Sequence, residues 1–583
     1  MKNYSDLEKN TNSKIPTNNE ILSLRLNVLF GIIVFLLSLL VLKLALITIV
    51  SGNEYKQLVN KTEVIYEKQA VPRGLIYDSA GQVVTNNTPI ASVMFNRSGN
   101  ESAQSILKIA DKLSKYLSVN SDNLTQRQEI DYYLANPNNI NEVINKLGYT
   151  QNKLNQLTSA EVNKKMVDYL TKSNFSLPKK QKTNAFIYDR MIQTPNESSG
   201  VIKEKNVSDQ EIASIGERQS SLKGISVTQN WSRTQSDDES MRQILGSLST
   251  STTGIPDSQL KKMQAFGYAL NSRVGISGLE QQYELQLRGI DKVNEVSSDG
   301  SLDIQKIVNK GMNGENLHLT INSEFQKIIS QATKKNILGG GSTGGYAMVI
   351  NPYTGGIYAM TGWDRDNKTH EISSNPLATI FSPFAMGSAV KPAMVANALQ
   401  KNIITPSENT LVDQAIKIAG TPEKTSFFNK EGTPYPLTAQ EALAVSSNTY
   451  MIQLALKMNG TPYSPGMSLN ISDNIWNELR NGFEQFGLGY KTGIDLPGET
   501  SGYKAPSTGD NAGKFVDLSF GQVDQYTVVQ MARYISAIAN GGKLITPHVV
   551  SSINVKNNQI DKQVYSASNV ASAKINLTAD QWN

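Results

Sequence analysis

Gly387-Ser388-Ala389-Val390-Lys391-Pro392-Ala393-Met394-Val395-Ala396-Asn397-Ala398-Leu399 is the stretch on which the reading of this chain turns. Its second half is an apolar run with the spacing of a buried helix. Residues three apart on a helix share a face, so Ser388 and Lys391 can meet. Pro392 is tolerable in a first turn and helps mark where the helix starts. A serine at that end sits near free N–H groups and the positive pole of the helix, both of which favour developing negative charge. A neighbouring amine can take the serine's proton, provided burial or another cation lowers its pKa from about 10.4 toward neutrality. Alone, this spelling is weak, because a surface helix with a chance lysine reads the same way. A second polar group, Ser446-Ser447-Asn448, interrupts another apolar helical pattern between Leu437–Val445 and Thr449–Ile452. It reads either as a solvent-facing turn with a local cap or as a buried group that needs partners.

Composition narrows the chemistry. The chain has 583 residues, 56 Lys+Arg against 51 Asp+Glu, and a net charge of +5. That surplus is too dilute for a nucleic-acid-binding face, and the length corresponds to about three to five domains. The chain has no cysteine, which excludes disulfides, a Cys nucleophile, thiolate zinc sites and CxxC redox chemistry. Its three histidines, His318, His370 and His548, lie far apart and read as ordinary packing or surface residues. No HExxH-type metal pair exists, and any nucleophilic site needs a base other than Cys or His.

Val28–Val50 reads VLFGIIVFLLSLLVLKLALITIV, 23 residues interrupted only by Lys43. At 1.5 Å per residue this is long enough for a transmembrane helix, and Lys43 near its end can reach the interface. The polar leader before it and its length argue for an uncleaved anchor over a signal peptide. Lys9, Lys14 and Arg25 on one side balance Lys56, Lys61 and Lys68 on the other, so charge bias does not set the orientation.

The expected organisation is α+β: leader 1–27, single transmembrane helix 28–50, an elongated mixed α/β pedestal 51–311, and a catalytic domain 312–583. Thr62–Val93 reads as short strands with a tight turn at Asp78-Ser79-Ala80-Gly81. Residues 101–215, polar but with recurring Leu, Ile, Tyr and Val, read as a helical lobe. Asn316–Ile321 alternates like a strand and precedes a helical pattern. Tyr346–Ile350 and Ile357–Met360, joined by Asn351-Pro352-Tyr353-Thr354-Gly355-Gly356, read as a β-hairpin. Residues 388–400 and 438–458 read as helices.

With these motifs together, the chain resembles the class B penicillin-binding proteins, the 2B-type D,D-transpeptidases of Gram-positive bacteria. Pro72-Arg73-Gly74-Leu75-Ile76-Tyr77-Asp78 is similar to the family's box just outside the membrane. Arg273-Val274-Gly275-Ile276-Ser277-Gly278-Leu279-Glu280 with Tyr283 is similar to its pedestal signature. Asn351–Gly355 and Leu518-Ser519-Phe520-Gly521-Gln522 resemble segments of its catalytic domain. The resemblance implies a serine β-lactamase-like, penicillin-binding fold, a cytoplasmic N-terminus and an extracellular catalytic domain on the cell membrane. It implies that Ser388 attacks the penultimate D-Ala carbonyl of a peptidoglycan stem peptide ending in D-Ala-D-Ala. Lys391 would activate the serine, Ser446 would relay a proton to the leaving amine, and Asn448 would bind the substrate amide or steady Lys391. β-Lactams would acylate Ser388. The implied partners are a SEDS-type glycan polymerase and other cell-wall membrane proteins, with no metal, organic cofactor or nucleic acid.

The family also uses a Lys-Thr/Ser-Gly strand whose lysine binds substrate carboxylate and whose backbone completes the oxyanion hole. Lys491-Thr492-Gly493 has that spelling, but its context, Gly487-Leu488-Gly489-Tyr490 before and Ile494-Asp495-Leu496-Pro497-Gly498 after, is that of a loop. It is read as a decoy, with the true motif expected beyond Asn583. Thr578 and Gln581 spell a capping box for a helix too short to stand alone, so the catalytic domain is expected to lack its C-terminal strands and to leave a sheet edge unpaired. Met386 stands where the family usually has Pro. The competing readings are a non-catalytic scaffold of the cell-wall machinery and, against the long pedestal, a penicillin sensor or β-lactamase.

Overall fold

The computed structural model describes residues 18–45, 64–98, 101–196, 198–250, 253–298, 303–339, 342–471, 473–507, 511–557 and 560–582. Asn18–Ala45 is one helix, and its large apolar side chains from Leu29 to Leu44 are exposed. The rest of the expected span, residues 46–50, lies outside the described residues, as does the leader up to residue 17. Among the described residues no helix is long and apolar enough to cross a membrane.

Three strands, β1 (Val64–Gln69), β6 (Lys292–Ser298) and β7 (Asp303–Asn309), form an antiparallel sheet in the order β1-β6-β7. A larger, seven-stranded sheet carries β2 (Ile76–Tyr77), β3 (Val83–Asn96), β4 (Ser199–Lys203), β5 (Ile225–Gln235), β8 (Asn316–Leu319), β15 (Val550–Asn557) and β16 (Ile560–Ser566). Its order is β16-β15-β8-β2-β3-β4, with β5 also on β3, and only the β2–β8 pair is parallel. Segments far apart in sequence thus share one sheet. The turn read at Asp78–Gly81 is there: Asp78 Oδ1 accepts from the backbone N–H of Ala80 and Gln82, and Gly81 has φ 81°. Asp78 Oδ2 accepts from the Ser323 N–H and hydroxyl, fastening this turn to the start of helix Ser323–Gly339.

The polar stretch read as a helical lobe is one. Several of its helices begin at side-chain caps, with reciprocal capping boxes at Thr125/Gln128, Thr158/Glu161 and Ser208/Glu211. Ala103–Leu113 buries Ile106, Leu107, Ile109, Ala110 and Leu113 on one face. That stripe, not the overall composition, decides the fold of the segment.

The hairpin read at 346–360 is β9 (Gly344–Ile350) with β10 (Ile357–Arg365), and β11 (Ile372–Ser374) completes the order β11-β10-β9. Asn351 Oδ1 accepts from the N–H of Tyr353 and Thr354 in the turn. Helix Ser323–Gly339 lies on this sheet, where Gln326 exchanges hydrogen bonds with both backbone groups of Met360. β9 forms the edge of the sheet, its residues half-buried.

Two expectations change. The pattern over 438–458 is two helices, Ala439–Ala444 and Asn448–Met458, separated by a turn in which Ser446 has φ 55°. The short helix Ala579–Trp582 does stand. Thr578 and Gln581 cap each other, Leu577 and Trp582 pack on the core, and Gln581 Nε2 donates to the Leu399 carbonyl. The nucleation cost that forbids an isolated turn of helix is met here by tertiary packing.

Candidate active site

Ser388 lies on a 3-10 turn, Gly387–Val390, that runs directly into helix Lys391–Gln400, with Pro392 in the first turn as read. The helix is buried along Ala393, Met394, Val395, Ala396 and Ala398, because it packs between Asn448–Met458 and Asp473–Glu484 in a core rich in aromatics. Its early N–H at Ala393 donates to the Tyr534 hydroxyl at 3.2 Å. The turn is held from behind by the Leu518–Gln522 segment. Gly387 N–H donates to the Gly521 carbonyl at 3.0 Å, and Gly521 has φ 81°. A Cβ there would lie 2.2 Å from the Gly387 carbonyl oxygen, so only glycine fits. Met386 packs against the same core.

Ser388 itself is exposed, whereas Lys391 is only 1 % exposed. The Lys391 Nζ donates to the Ser446 carbonyl at 2.6 Å, meets the Ser446 Oγ at 3.0 Å and donates to Asn448 Oδ1 at 2.8 Å. Burial pushes Lys391 down to about 8, against an opposing pull from the negative charge of Asp413. Of its three partners, the carbonyl and the Asn448 oxygen can only accept, while the Ser446 hydroxyl can also donate. A neutral amine is therefore accommodated without breaking a contact: two N–H groups go to the acceptors and the lone pair faces Ser446.

The structure thus brings Lys391, Ser446 and Asn448 into one hydrogen-bonded cluster, with Ser388 one turn away and its hydroxyl not bonded to Lys391. Ser446 and Asn448 are placed by the break in the helix. Ser447 is the N-cap of Asn448–Met458, its Oγ accepting from Tyr450 N–H at 3.0 Å, which turns Ser446 outward and Asn448 toward the lysine. Lys491 is not in this cluster. It is exposed on irregular backbone, as the decoy reading requires. Thr492 and Gly493 tie to Glu499, and Asp495 accepts from Val549 N–H, Val550 N–H and the Tyr283 hydroxyl. The segment is a clasp between the catalytic and pedestal portions.

Among the described residues there is no group of His, Asp and Glu arranged to hold a metal. His318 stacks on Tyr77 with centroids 4.8 Å apart, and His548 Nδ1 lies 3.3 Å from the Thr546 carbonyl. What sequence reasoning missed is Asp413, a buried carboxylate behind the Ser446–Asn448 turn; a lone aspartate in a short apolar strand gave no signal.

Family models for a penicillin-binding protein dimerisation domain and a penicillin-binding protein transpeptidase domain match residues 68–319 and 345–581. Penicillin-binding protein 2B of Streptococcus pneumoniae is 32% identical over 557 residues, covering 93% of this chain and 81% of that protein. The chain belongs to the class B penicillin-binding proteins. Penicillin-binding protein 2A of Bacillus subtilis is likewise 32% identical, over 559 residues that cover 92% of this chain and 76% of the relative. The solved structure of penicillin-binding protein 2B from S. pneumoniae strain 5204 superposes with a TM-score of 0.74 at 31% identity, covering 89% of this chain and 85% of that one. A dimerisation domain and a transpeptidase domain make up this penicillin-binding fold, and the chain has a transpeptidase role.

Proposed function

We propose that the chain is a membrane-anchored peptidoglycan D,D-transpeptidase working through a serine acyl-enzyme on Ser388. The observation that carries this reading is the buried, hydrogen-bonded Lys391 with its pKa lowered to about 8, set between an exposed serine and the Ser446–Asn448 turn. With a pKa of about 8, about one lysine in ten is neutral at pH 7, against about one in three thousand at the ordinary value of 10.5.

In the first half-reaction the Ser388 oxygen attacks the penultimate D-Ala carbonyl and its proton passes to Lys391. The tetrahedral adduct collapses by breaking the C–N bond. Terminal D-Ala leaves as an amine, protonated through the Ser446 hydroxyl. In the second, Lys391, neutral again once its proton has passed through Ser446 to the departed D-Ala, takes a proton from the amine of a neighbouring stem peptide as it attacks the serine ester. The ester C–O bond breaks as that proton passes to the Ser388 oxygen. Asn448, its Oδ1 engaged by Lys391, holds the base in place. A β-lactam follows the first half alone and stays attached. In this reading the apolar stretch 28–50 of the sequence anchors the chain, the N-terminus lies in the cytoplasm, and the pedestal meets a glycan-polymerising membrane partner.

Incubation with a fluorescent penicillin tests this. The full-length protein is expected to be labelled and Ser388→Ala not at all. Persistent labelling of Ser388→Ala overturns the site assignment, and an unlabelled wild-type protein favours the scaffold reading.

A further inference from the structure

Asp413 is the last residue of β12 (Leu411–Asp413), which pairs with β13 (Tyr435–Leu437) beside the candidate site. It is 0 % exposed, yet its carboxylate carries an unusual load of neutral donors. Oδ2 accepts from the Ser426 hydroxyl at 2.6 Å, the Thr449 hydroxyl at 2.7 Å and the Ser447 hydroxyl, and Oδ1 accepts from Asn429 Nδ2 at 2.8 Å. Two of these donors, Ser447 and Thr449, flank Asn448 in sequence. The third, Ser426, accepts from the backbone N–H of Asn448 at 3.0 Å and Thr449 at 3.3 Å. One buried carboxylate therefore grips both sides of the turn that presents Ser446 and Asn448.

The backbone closes the turn locally, Ser446 N–H donating to the Leu443 carbonyl at 3.2 Å and Ser447 N–H to the Ala442 carbonyl at 2.8 Å. Ser446 has φ 55°, a left-handed conformation that is unfavourable for a non-glycine residue. Such strain persists where surrounding structure over-determines it. Here the determinants are those two backbone bonds, the Ser447 cap and the Asp413 hub.

We propose that Asp413 is a positioning residue for acyl transfer: its carboxylate gathers the Ser426, Ser447 and Thr449 hydroxyls and so holds Ser446 and Asn448 against Lys391. This rests on the serine–lysine reading of the site given above. Its charge also acts on Lys391, opposing the lowering that burial causes. The other groups around that lysine do not compete. Ser388, Ser446 and Asn448 are neutral, and Glu441 on helix Ala439–Ala444 caps Thr438. On helix Asp473–Glu484, Arg480 is paired with Asp524, Glu478 with Lys401 and Glu484 with Lys504. Lys424 is paired with Asp517 at 2.7 Å.

The test is the second-order rate of acylation by a fluorescent penicillin between pH 6 and 10, measured on full-length wild-type protein, Asp413→Asn, Asp413→Glu and Thr449→Val, with Ser388→Ala as control. Asp413→Asn keeps the shape but removes the charge and one acceptor. It is expected to acylate roughly 10- to 100-fold more slowly, because the turn loosens. The acid limb of its profile is expected to move to lower pH by about one unit, because Lys391 loses the charge that favours its protonated form. Asp413→Glu restores the charge and is expected to return the limb toward its wild-type position. Thr449→Val removes a single donor at little cost in shape, so it decides the matter if Asp413→Asn does not fold; a loss of about threefold or more is expected.

Wild-type rate and limb in Asp413→Asn, or an unchanged rate in Thr449→Val, overturn the positioning role. So does a slow Asp413→Asn whose limb has not moved and which Asp413→Glu does not correct, since a merely structural residue behaves that way. Ser388→Ala that still labels overturns the site reading itself and is distinct from all of these.

Discussion

A lysine whose hydrogen bonds all go to neutral groups is held in place without a counter-ion of its own. Desolvation then dominates, and Lys391 falls to about 8 although Asp413 pulls the other way. The neutral form is the one that takes a proton from Ser388, so acylation should be flat above about pH 8 and fall about tenfold per unit below it. Stopped-flow acylation against pH measures this directly; a limb near 10.5, the ordinary lysine value, would mean that burial does not tune this group. Lys391→Ala should reduce acylation by roughly 10²–10⁴-fold with little change in penicillin-independent stability, the range for loss of a general base. At this scale the sequence was informative in part. Ser388 and Lys391 could be paired from helical spacing, and Ser446 and Asn448 from the polar break in an apolar run. The resemblance, not periodicity, supplied their roles. Asp413 was invisible, because the donors it collects come from 426, 429, 447 and 449 and no spacing rule joins them to a carboxylate in β12.

Among elements, the break between Ala439–Ala444 and Asn448–Met458 matters most. An apolar pattern reads through it, since helix propensity and periodicity are local, whereas the left-handed Ser446 is fixed by the backbone bonds that close helix Ala439–Ala444 together with a tertiary hub. The position predicts a separation of stability from activity. Ser446→Gly relieves the backbone and should stabilise the protein by about 1 kcal/mol, while losing the hydroxyl that faces Lys391. Thermal melting should therefore rise as penicillin acylation falls. Ser446→Ala, which keeps the strain, should lose acylation with no gain in melting temperature. A Ser446→Gly protein that melts lower than wild type would show that the turn's conformation costs nothing. The Lys491–Gly498 segment shows the opposite case. Its glycines and proline are readable as a loop because glycine admits the positive φ that Gly493 and Gly498 adopt and proline fixes φ, both local effects. Its task, the Asp495 bonds to Val549, Val550 and Tyr283, needs the fold to be seen.

Across the whole molecule, two motifs that the sequence shows separately turn out to be one structure. Arg73, from the box at 72–78, meets Glu280 and Glu284, which belong to and follow the signature at 273–280. Arg73 Nη2 lies 2.7 Å from both carboxylates, and Arg233 Nε lies 2.7 Å from the other oxygen of Glu280. Glu284 also accepts from Gly275 N–H at 2.8 Å and from the Tyr268 hydroxyl at 3.0 Å. The network sits beside a core in which Leu279 and Leu287 pack with Leu317, Ile494, Val529 and Val549, so pedestal and catalytic portions share apolar contacts as well. Although burial works against it, Glu280 and Glu284 hold the Arg73 guanidinium above its ordinary range. Among the described residues, Glu280→Gln removes the only carboxylate bonded to Arg233, whose side chain is 6% exposed, and leaves Arg73 with Glu284. Breaking one partner of a buried ion pair typically costs about 3–5 kcal/mol, because the surviving charge is left without compensation. Urea unfolding should show a loss of that size for Glu280→Gln. The double variant Glu280→Gln with Arg233→Met, which removes the stranded charge, should recover a substantial part of it. If the double variant is as unstable as the sum of its singles, the two residues act independently, and the pedestal is held by its apolar core instead of this network.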